Sequence, residues 1–270
     1  MLLDVDHQGA YASTFGHAVD PDKPSIVFVH GAAMDHTVWT LFARYFSRHG
    51  YNAIGVDLPG HGRSEGPPLD RIEALSQWLD QALDGLGIEA AVVVGHSFGS
   101  LVALELAAST GRAGGLGLVG IGLPMAVSEA LLDAARADNH DGFDMVNIWG
   151  HSPYAHIGGI SNPGMWMTGA QLRLLERAGP GVLFSDLNAC NEYGDGLERA
   201  AQLTCPTLLV LGERDMMTPV RATRELAKRL TDCEIRIIPR CGHALMSERP
   251  NEVLDALAAL AARVAEGRAA

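Results

Sequence analysis

Cysteine is scarce in this 270-residue chain. The four residues, Cys190, Cys205, Cys233 and Cys241, form no CxxC pair and no Cys/His cluster with zinc spacing. That excludes a disulfide-stapled scaffold, points away from a bound metal, and fits reduced thiols and a cytoplasmic location. Positive charge is also short. Lys and Arg number 20 against 32 Asp and Glu, a net charge of −12. Such a balance repels phosphate backbones and anionic lipid, so nucleic acid and membrane surfaces are poor partners. No apolar run is long enough to span a bilayer. The start, Met-Leu-Leu-Asp-Val-Asp-His, is acidic and lacks an apolar core, so no secretory signal is expected. Internal repeats and low-complexity tracts are absent too. What remains is an ordinary globular mix, 47% hydrophobic and 19% charged. The length suits one large domain or one domain with an inserted lid. A chain of this size buries about three quarters of its unfolded surface and needs no staple. Nothing in the composition speaks against a homo-oligomer.

Short apolar runs alternate with amphipathic stretches. Ser25–Val29 reads as a buried strand, and Asn52–Val56, Ala91–Val94, Leu116–Val119, Thr207–Leu211 and Glu234–Ile238 read as further strands. Helical spacing is expected over 38–49, 70–85, 98–109, 220–230 and 250–265. Continuous apolar strands separated by helices predict a parallel sheet covered on both faces, an α/β fold. Residues 124–200 break the rhythm. They contain helical pieces (128–138 and 170–178) and a loop-rich stretch from Trp149 to Met167 with no convincing strand. The expected organisation is therefore a core made of 1–123 and 201–270 with an inserted helical cap or lid over 124–200.

Gly95-His96-Ser97-Phe98-Gly99 directly follows one predicted strand and opens a helix. This is the setting of a nucleophile elbow. A sharp turn holds the serine in a strained backbone conformation, and side chains at Gly95 and Gly99 would collide there. The helix N-terminus beneath Ser97 favours an oxyanion. Serine is a weak nucleophile alone and needs a base and a group that orients the base. Active groups of such folds lie at the carboxyl ends of strands. His243 follows the last strand there, although a surface-loop histidine would look the same. Asp215 follows the strand ending at Leu211, where it could equally cap the next helix, and Glu213 competes with it. The chain order Ser97, Asp215, His243 is the one this motif class uses.

With these residues in hand, the sequence resembles the α/β-hydrolase family. Four blocks carry the resemblance: His30-Gly31-Ala32-Ala33, Asp57-Leu58-Pro59-Gly60-His61-Gly62-Arg63-Ser64, Gly95–Gly99, and Gly242-His243 within CGHALMSERP. The resemblance implies a mostly parallel twisted sheet, Ser97 as nucleophile, His243 as base then acid, and Asp215 as its orienter. It places the oxyanion hole at the backbone N–H groups of Ala32 and Phe98. It implies a cofactor-independent serine hydrolase, most simply a carboxylesterase acting on a small-molecule ester. Thioesterases, acyltransferases, perhydrolysing haloperoxidases and carbon–carbon bond hydrolases share the blocks. The last usually carry Gly-Asn-Ser at the elbow and tryptophan after the histidine, where this chain has His96 and Ala244. A non-catalytic binding protein is the reading furthest from these blocks.

Other signals are weaker. His61 is expected to brace its glycine-rich turn and His96 to point beneath the elbow. Gly115–Gly120 fits G-x-G-x-x-G but overlaps a strand instead of opening a helix, so no dinucleotide site is expected. Met125, Met145, Trp149, Met165, Trp166 and Met167 enrich the cap in soft apolar side chains. Of these, Met125, Trp149 and Trp166, with Met217 beside Asp215, are candidates to line a substrate pocket. Arg173, Arg177 and Arg199 could form a basic patch for a carrier partner or simply a solvated helix face.

Overall fold

The short apolar runs of the sequence become one eight-stranded sheet in a computed structural model, which describes residues 1–158 and 166–269. The strands are β1 (Leu2–Val5), β2 (Gln8–Ser13), β3 (Ser25–Val29), β4 (Asn52–Asp57), β5 (Ala91–His96), β6 (Ala113–Val119), β7 (Thr207–Gly212) and β8 (Cys233–Ile238). Their order is β1-β2-β4-β3-β5-β6-β7-β8. β3 to β8 run parallel, and β2 pairs antiparallel with both β1 and β4. The fold is that of an α/β hydrolase, as the motifs imply. The β1–β2 hairpin is absent from the sequence-based expectation. Its turn at Asp6 and His7, both at positive φ (51° and 64°), lacks the usual Asn-Gly or Asp-Gly signal, and β1 is largely exposed.

Twelve α-helices join the described strands. In chain order α1 (Thr40–Arg48), α2 (Ile72–Gly85) and α3 (Phe98–Thr110) come first. Between β6 and β7 stand α4 (Glu129–Arg136), α5 (His140–Gly150), α6 (Pro153–His156), α7 (Met167–Leu175), α8 (Val182–Glu192) and α9 (Gly196–Ala200). The C-terminal third adds α10 (Arg224–Arg229), α11 (Leu245–Glu248) and α12 (Pro250–Ala269). Among the described residues no helix is long and apolar enough to cross a membrane.

The sheet carries a core on each face. On one side Ile26, Phe28, Val94 and Val210 pack against Trp39, Phe42 and Phe46 near α1 and against Leu257 and Leu260 of α12. On the other, Val27, Val29, Val93 and Leu118 pack under Leu75 and Leu79 of α2 and under α3. Burying each such side chain contributes about 1.5–3 kcal/mol. α3 is apolar on all sides because it is buried on all sides from Phe98 to Ala107. The G-x-G-x-x-G match lies inside β6, where a Cβ on Gly115 would overlap Val264, so this strand's glycines let α12 lie close to the sheet.

The insert between β6 and β7 is more helical than its sequence suggests. α4 and α7 fall near the expected 128–138 and 170–178, α5 and α8 lie almost wholly where no element is expected, and the short α6 falls within the loop-rich stretch. α5 contains Gly142 and the β-branched Val146 and Ile148, all weak helix formers, and depends on packing with α4 and α7. Leu131, Ala135, Val146, Leu175, Leu183 and Leu187 form a small apolar core for the insert, with Met145 at its edge.

Candidate active site

Four loops at the carboxyl edge of the parallel strands converge on one cavity. The first is the turn from β5 into α3. Ser97 adopts φ 53°, ψ −121°, a conformation costly for a residue with a Cβ, of order 1–3 kcal/mol. Its amide donates to the Val119 carbonyl (2.8 Å), and Ser100 N–H donates to the Ser97 carbonyl (2.8 Å). Ser97 stands at the helix N-cap, yet its hydroxyl makes no capping bond. A Cβ on Gly95 would overlap the Gly99 carbonyl, and one on Gly99 would overlap the His30 carbonyl. The collision expected at both glycines therefore has two origins. Gly95 lets the turn close, and Gly99 lets α3 approach the end of β3.

The second loop follows β8 and carries His243, which is buried. Its Nδ1 lies 2.8 Å from Asp215 Oδ2. A carboxylate only accepts, so Nδ1 holds a proton, and in the tautomer that follows from this Nε2 is the nitrogen that can accept. His243 Nε2 is buried with no hydrogen-bond partner among the described residues. Ser97 and His243 line the same cavity.

Asp215 sits on the third loop, after β7. Oδ1 accepts the amides of Met217 and Thr218 (2.8 Å each), and Oδ2 accepts the Thr218 hydroxyl (2.7 Å) and His243 Nδ1. The helix-capping reading fails, since Pro219 is the N-cap of the next helical turn and has no side-chain bond; Asp215 caps its own turn and holds the histidine with one carboxylate. Burial opposes its charge, but His243 and these donors hold the acid below the usual carboxylate range. Glu213 instead accepts Arg240 N–H (2.9 Å) away from the site. Thr218 also lies 3.1 Å from His243 Nδ1 and was not singled out by sequence reasoning. The only signal for it is its place three residues after an aspartate, a common capping spacing.

The fourth loop, His30 to Ala33, follows β3. Ala32 lines the cavity, and Phe98 opens α3 beside Ser97. Among the described residues, neither Ala32 N–H nor Phe98 N–H has an acceptor in the protein. Ala33, at φ 54°, is a second strained non-glycine. The side chain of His96, expected beneath the elbow, lies along the wall of the cavity. Its Nε2 donates to the His243 carbonyl (2.9 Å), which ties the histidine loop to the serine turn. Burial and the neighbouring His243 push the His96 pKa down to about 3, so this imidazole is neutral.

The cavity measures ≈ 190 Å³. Met125, Leu131, Val146, Trp149, Leu187 and Met217 give it an apolar wall. Of the four pocket candidates, Met125, Trp149 and Met217 are in place and Trp166 is not. Trp166 is 75% exposed at the start of α7, its indole folded over Gly169 on the helix's own first turn. Met165 lies outside the described residues. Met167 lines a neighbouring cavity of ≈ 420 Å³ that shares Met34, His96 and Gln171 with the first. The arginines form no free basic patch: Arg173 pairs with Glu176 (2.6 Å), Arg177 with Asp35 (3.5 Å) and Arg199 with buried Glu105 (3.1 Å). Asp35, His36 and Asp57 lie close enough to share an ion. Their oxygens are already engaged, Asp57 by His36 N–H, His36 Nδ1 and Arg63 N–H, and Asp35 by Thr37.

Comparison with known proteins places these features in context. The model of the alpha/beta hydrolase family matches residues 26–256. A pimeloyl-[acyl-carrier protein] methyl ester esterase of Aromatoleum aromaticum is 29% identical over 254 residues, covering 86% of this chain and 95% of that protein. A 2-hydroxy-6-oxononadienedioate/2-hydroxy-6-oxononatrienedioate hydrolase of Paraburkholderia phymatum is 27% identical over 252 residues, 86% of each. Among solved structures, a bromoperoxidase from Bacillus anthracis superposes with a TM-score of 0.84 at 16% identity, covering 96% of this chain and 98% of that one. At that identity the likeness speaks to fold alone.

Proposed function

This chain belongs to the alpha/beta hydrolase family, and we propose that within it the protein is a serine hydrolase that cleaves carboxylic esters of small or medium apolar substrates through an acyl-enzyme. Ser97 Oγ attacks the ester carbonyl while His243 Nε2 takes its proton. Asp215 holds the imidazole and stabilises the imidazolium that forms. The tetrahedral oxyanion accepts from the Ala32 and Phe98 amides. His243 then protonates the departing alcohol, and water, deprotonated by the same imidazole, releases the acid. The cycle is complete with the chain's own groups. The insert, taken as a cap over 124–200, supplies most of the pocket wall.

The division of labour on the His243 ring carries this reading. One nitrogen is committed to a carboxylate that three other donors hold in place, and the other is buried, without a partner among the described residues, in the cavity that Ser97 lines. Cavity size supports the substrate class. An apolar void of about 150 Å³ accommodates benzene, so ≈ 190 Å³ suits a short acyl chain or one ring. Paired arginines argue against a carrier-protein patch, and Ala244 after the histidine argues against carbon–carbon bond hydrolysis.

A fluorophosphonate probe followed by peptide mapping tests the nucleophile. Ser97 should label rapidly, and Ser97→Ala should abolish labelling and nearly all turnover of p-nitrophenyl butanoate. Retention of most turnover by Ser97→Ala would falsify the assignment. An ester and thioester series with competing alcohol and amine acceptors then separates hydrolysis from acyl transfer.

A further inference from the structure

We infer that Asp186, on α8 of the insert, is a positioning residue for the oxyanion loop, so that the insert orders the reaction centre as well as walling the pocket. This rests on the reading of Ala32 as an oxyanion donor. Asp186 is wholly buried, and its Oδ2 accepts two hydrogen bonds from distant segments: Ala33 N–H at 2.8 Å and His61 Nε2 at 2.8 Å. They lie 153 and 125 residues away in sequence. Asp186 Oδ1 is buried without a partner among the described residues. A carboxylate so placed is costly in isolation and is tolerable only beside a compensating charge.

The hydrogen-bond geometry identifies that charge. His61 Nδ1 faces the Pro59 carbonyl (2.9 Å), and Nε2 faces the carboxylate. Both partners can only accept, so each ring nitrogen must donate and the ring is an imidazolium. Burial alone would favour the neutral ring, but the Asp186 charge and hydrogen bond outweigh it and hold the His61 pKa above its ordinary value. The neighbouring His30, with ring centroids 4.8 Å apart, has the opposite state. Its Nδ1 donates to the Gly31 carbonyl (2.9 Å) and its Nε2 accepts Leu58 N–H (3.1 Å), which requires a neutral ring. Burial, then repulsion by His61, pushes its pKa down to about 4.

These contacts fix two successive peptide planes. The Gly31 carbonyl, opposite Ala32 N–H across one peptide, accepts from His30 Nδ1 and from Met34 N–H (3.2 Å). The next peptide, Ala32–Ala33, is fixed through Ala33 N–H by Asp186. With both planes held, the direction of Ala32 N–H is set, and the strained φ of Ala33 is maintained from the insert side. Other charged groups around His61 are Asp57 at the end of β4, and Asp35 and Arg177, which share a small cavity with it.

The test is Asp186→Asn in the full chain, which removes the ion pair and keeps the shape. Turnover of p-nitrophenyl butanoate should fall roughly 10- to 100-fold with KM within about twofold, as for a misplaced oxyanion donor. Fluorophosphonate labelling of Ser97 should slow by the same factor. Unchanged kcat and labelling rate, or a KM that rises in step with the loss of kcat, overturns the inference. If wild-type Ser97 does not label at all, the functional reading falls first. Should Asp186→Asn not fold, the wild type and His61→Gln decide. The His61 charge favours this geometry below the ring's ordinary pKa, and that support is lost as pH rises through its raised value. Wild-type kcat should therefore show an alkaline decline that His61→Gln lacks. No decline up to pH 10, or one that His61→Gln retains, overturns the inference.

Discussion

The sheet and the helical insert are each held together by apolar packing, and where they meet single polar contacts are added to it. Inside each, apolar side chains meet through short, repetitive spacings: apolar runs in β3 to β7, and leucines along α4, α7 and α8. Between them, Ala189, Cys190, Tyr193 and Ala200 of the insert join the apolar core around α3, and a few polar contacts stand apart from that packing. Asp186 reaches Ala33 and His61, Glu248 of α11 accepts Ser152 N–H (3.0 Å) and the Ser152 hydroxyl (2.5 Å), and Gly150 accepts Ala244 N–H (2.8 Å). On a third side Glu105 of α3 accepts Tyr193 OH (2.7 Å) and pairs with Arg199. The first two junctions touch the loops carrying Ala32 and His243. The comparison teaches that the chemistry belongs to the sheet edge while its alignment is shared with the insert. Breaking a sheet-edge group should cost turnover, and breaking a junction should cost stability or alignment.

The largest effect is expected at the sheet edge. Asp215→Asn keeps the shape but replaces the acceptor that fixes the His243 tautomer, and kcat should fall about 10²- to 10⁴-fold, with a loss of unfolding free energy smaller than at the junction. Steady-state kinetics beside urea unfolding would show it. A similar loss of stability and turnover would erase the distinction between chemistry and support. At the junction the pattern should invert. Glu248→Ala leaves Gly242 N–H, Ser152 N–H and the Ser152 hydroxyl without their acceptor. Unfolding free energy should drop by about 3–5 kcal/mol, and the fraction that stays folded should retain measurable turnover. A stable but inactive Glu248→Ala protein would move this residue from support to chemistry.

Acid should weaken the sheet edge before it reaches the carboxylates. His96 and His30 are neutral in the fold, with pKa values of about 3 and about 4 against an ordinary 6.5. Between those values the unfolded chain binds protons that the folded chain does not. Stability must then fall as pH drops below the ordinary histidine value, by up to about 1.4 kcal/mol per pH unit for each ring. Asp215 adds its own loss only lower, as pH falls through its depressed pKa. Urea midpoints from pH 7 to 4.5 measure this. A flat profile would mean that these rings are charged or solvated.

The two regions differ as much in legibility. Continuous apolar strands, the glycines around Ser97 and the position of His243 after the last strand expose the core in the sequence, because each signal is local. Trp166 misleads because its residue type suits a pocket, while its place at the start of α7 turns the indole onto its own helix. Asp186 leaves no local trace. A carboxylate in an amphipathic helix reads as a solvated face, and only the folded chain brings it to Ala33. Glu248 is hidden for the same reason, since Ser152 lies 96 residues away. The partners of both are fixed by loop geometry that no period encodes.

The smallest expected effect separates pocket wall from surface within the insert itself. Trp149 and Trp166 are both tryptophans of that region, yet one lines the cavity and the other is exposed. Trp149→Ala removes apolar surface from the substrate's path and should raise KM for p-nitrophenyl butanoate several-fold, equivalent to roughly 1 kcal/mol of lost contact. Trp166→Ala removes a side chain that faces solvent and should leave KM within twofold and stability within about 0.5 kcal/mol. Measured across esters of two to eight acyl carbons, the Trp149 effect should grow with chain length until the acyl group fills the ≈ 190 Å³ cavity. Equal responses of the two variants would show that substrate enters along the exposed face of α7, and the pocket assignment would have to move there.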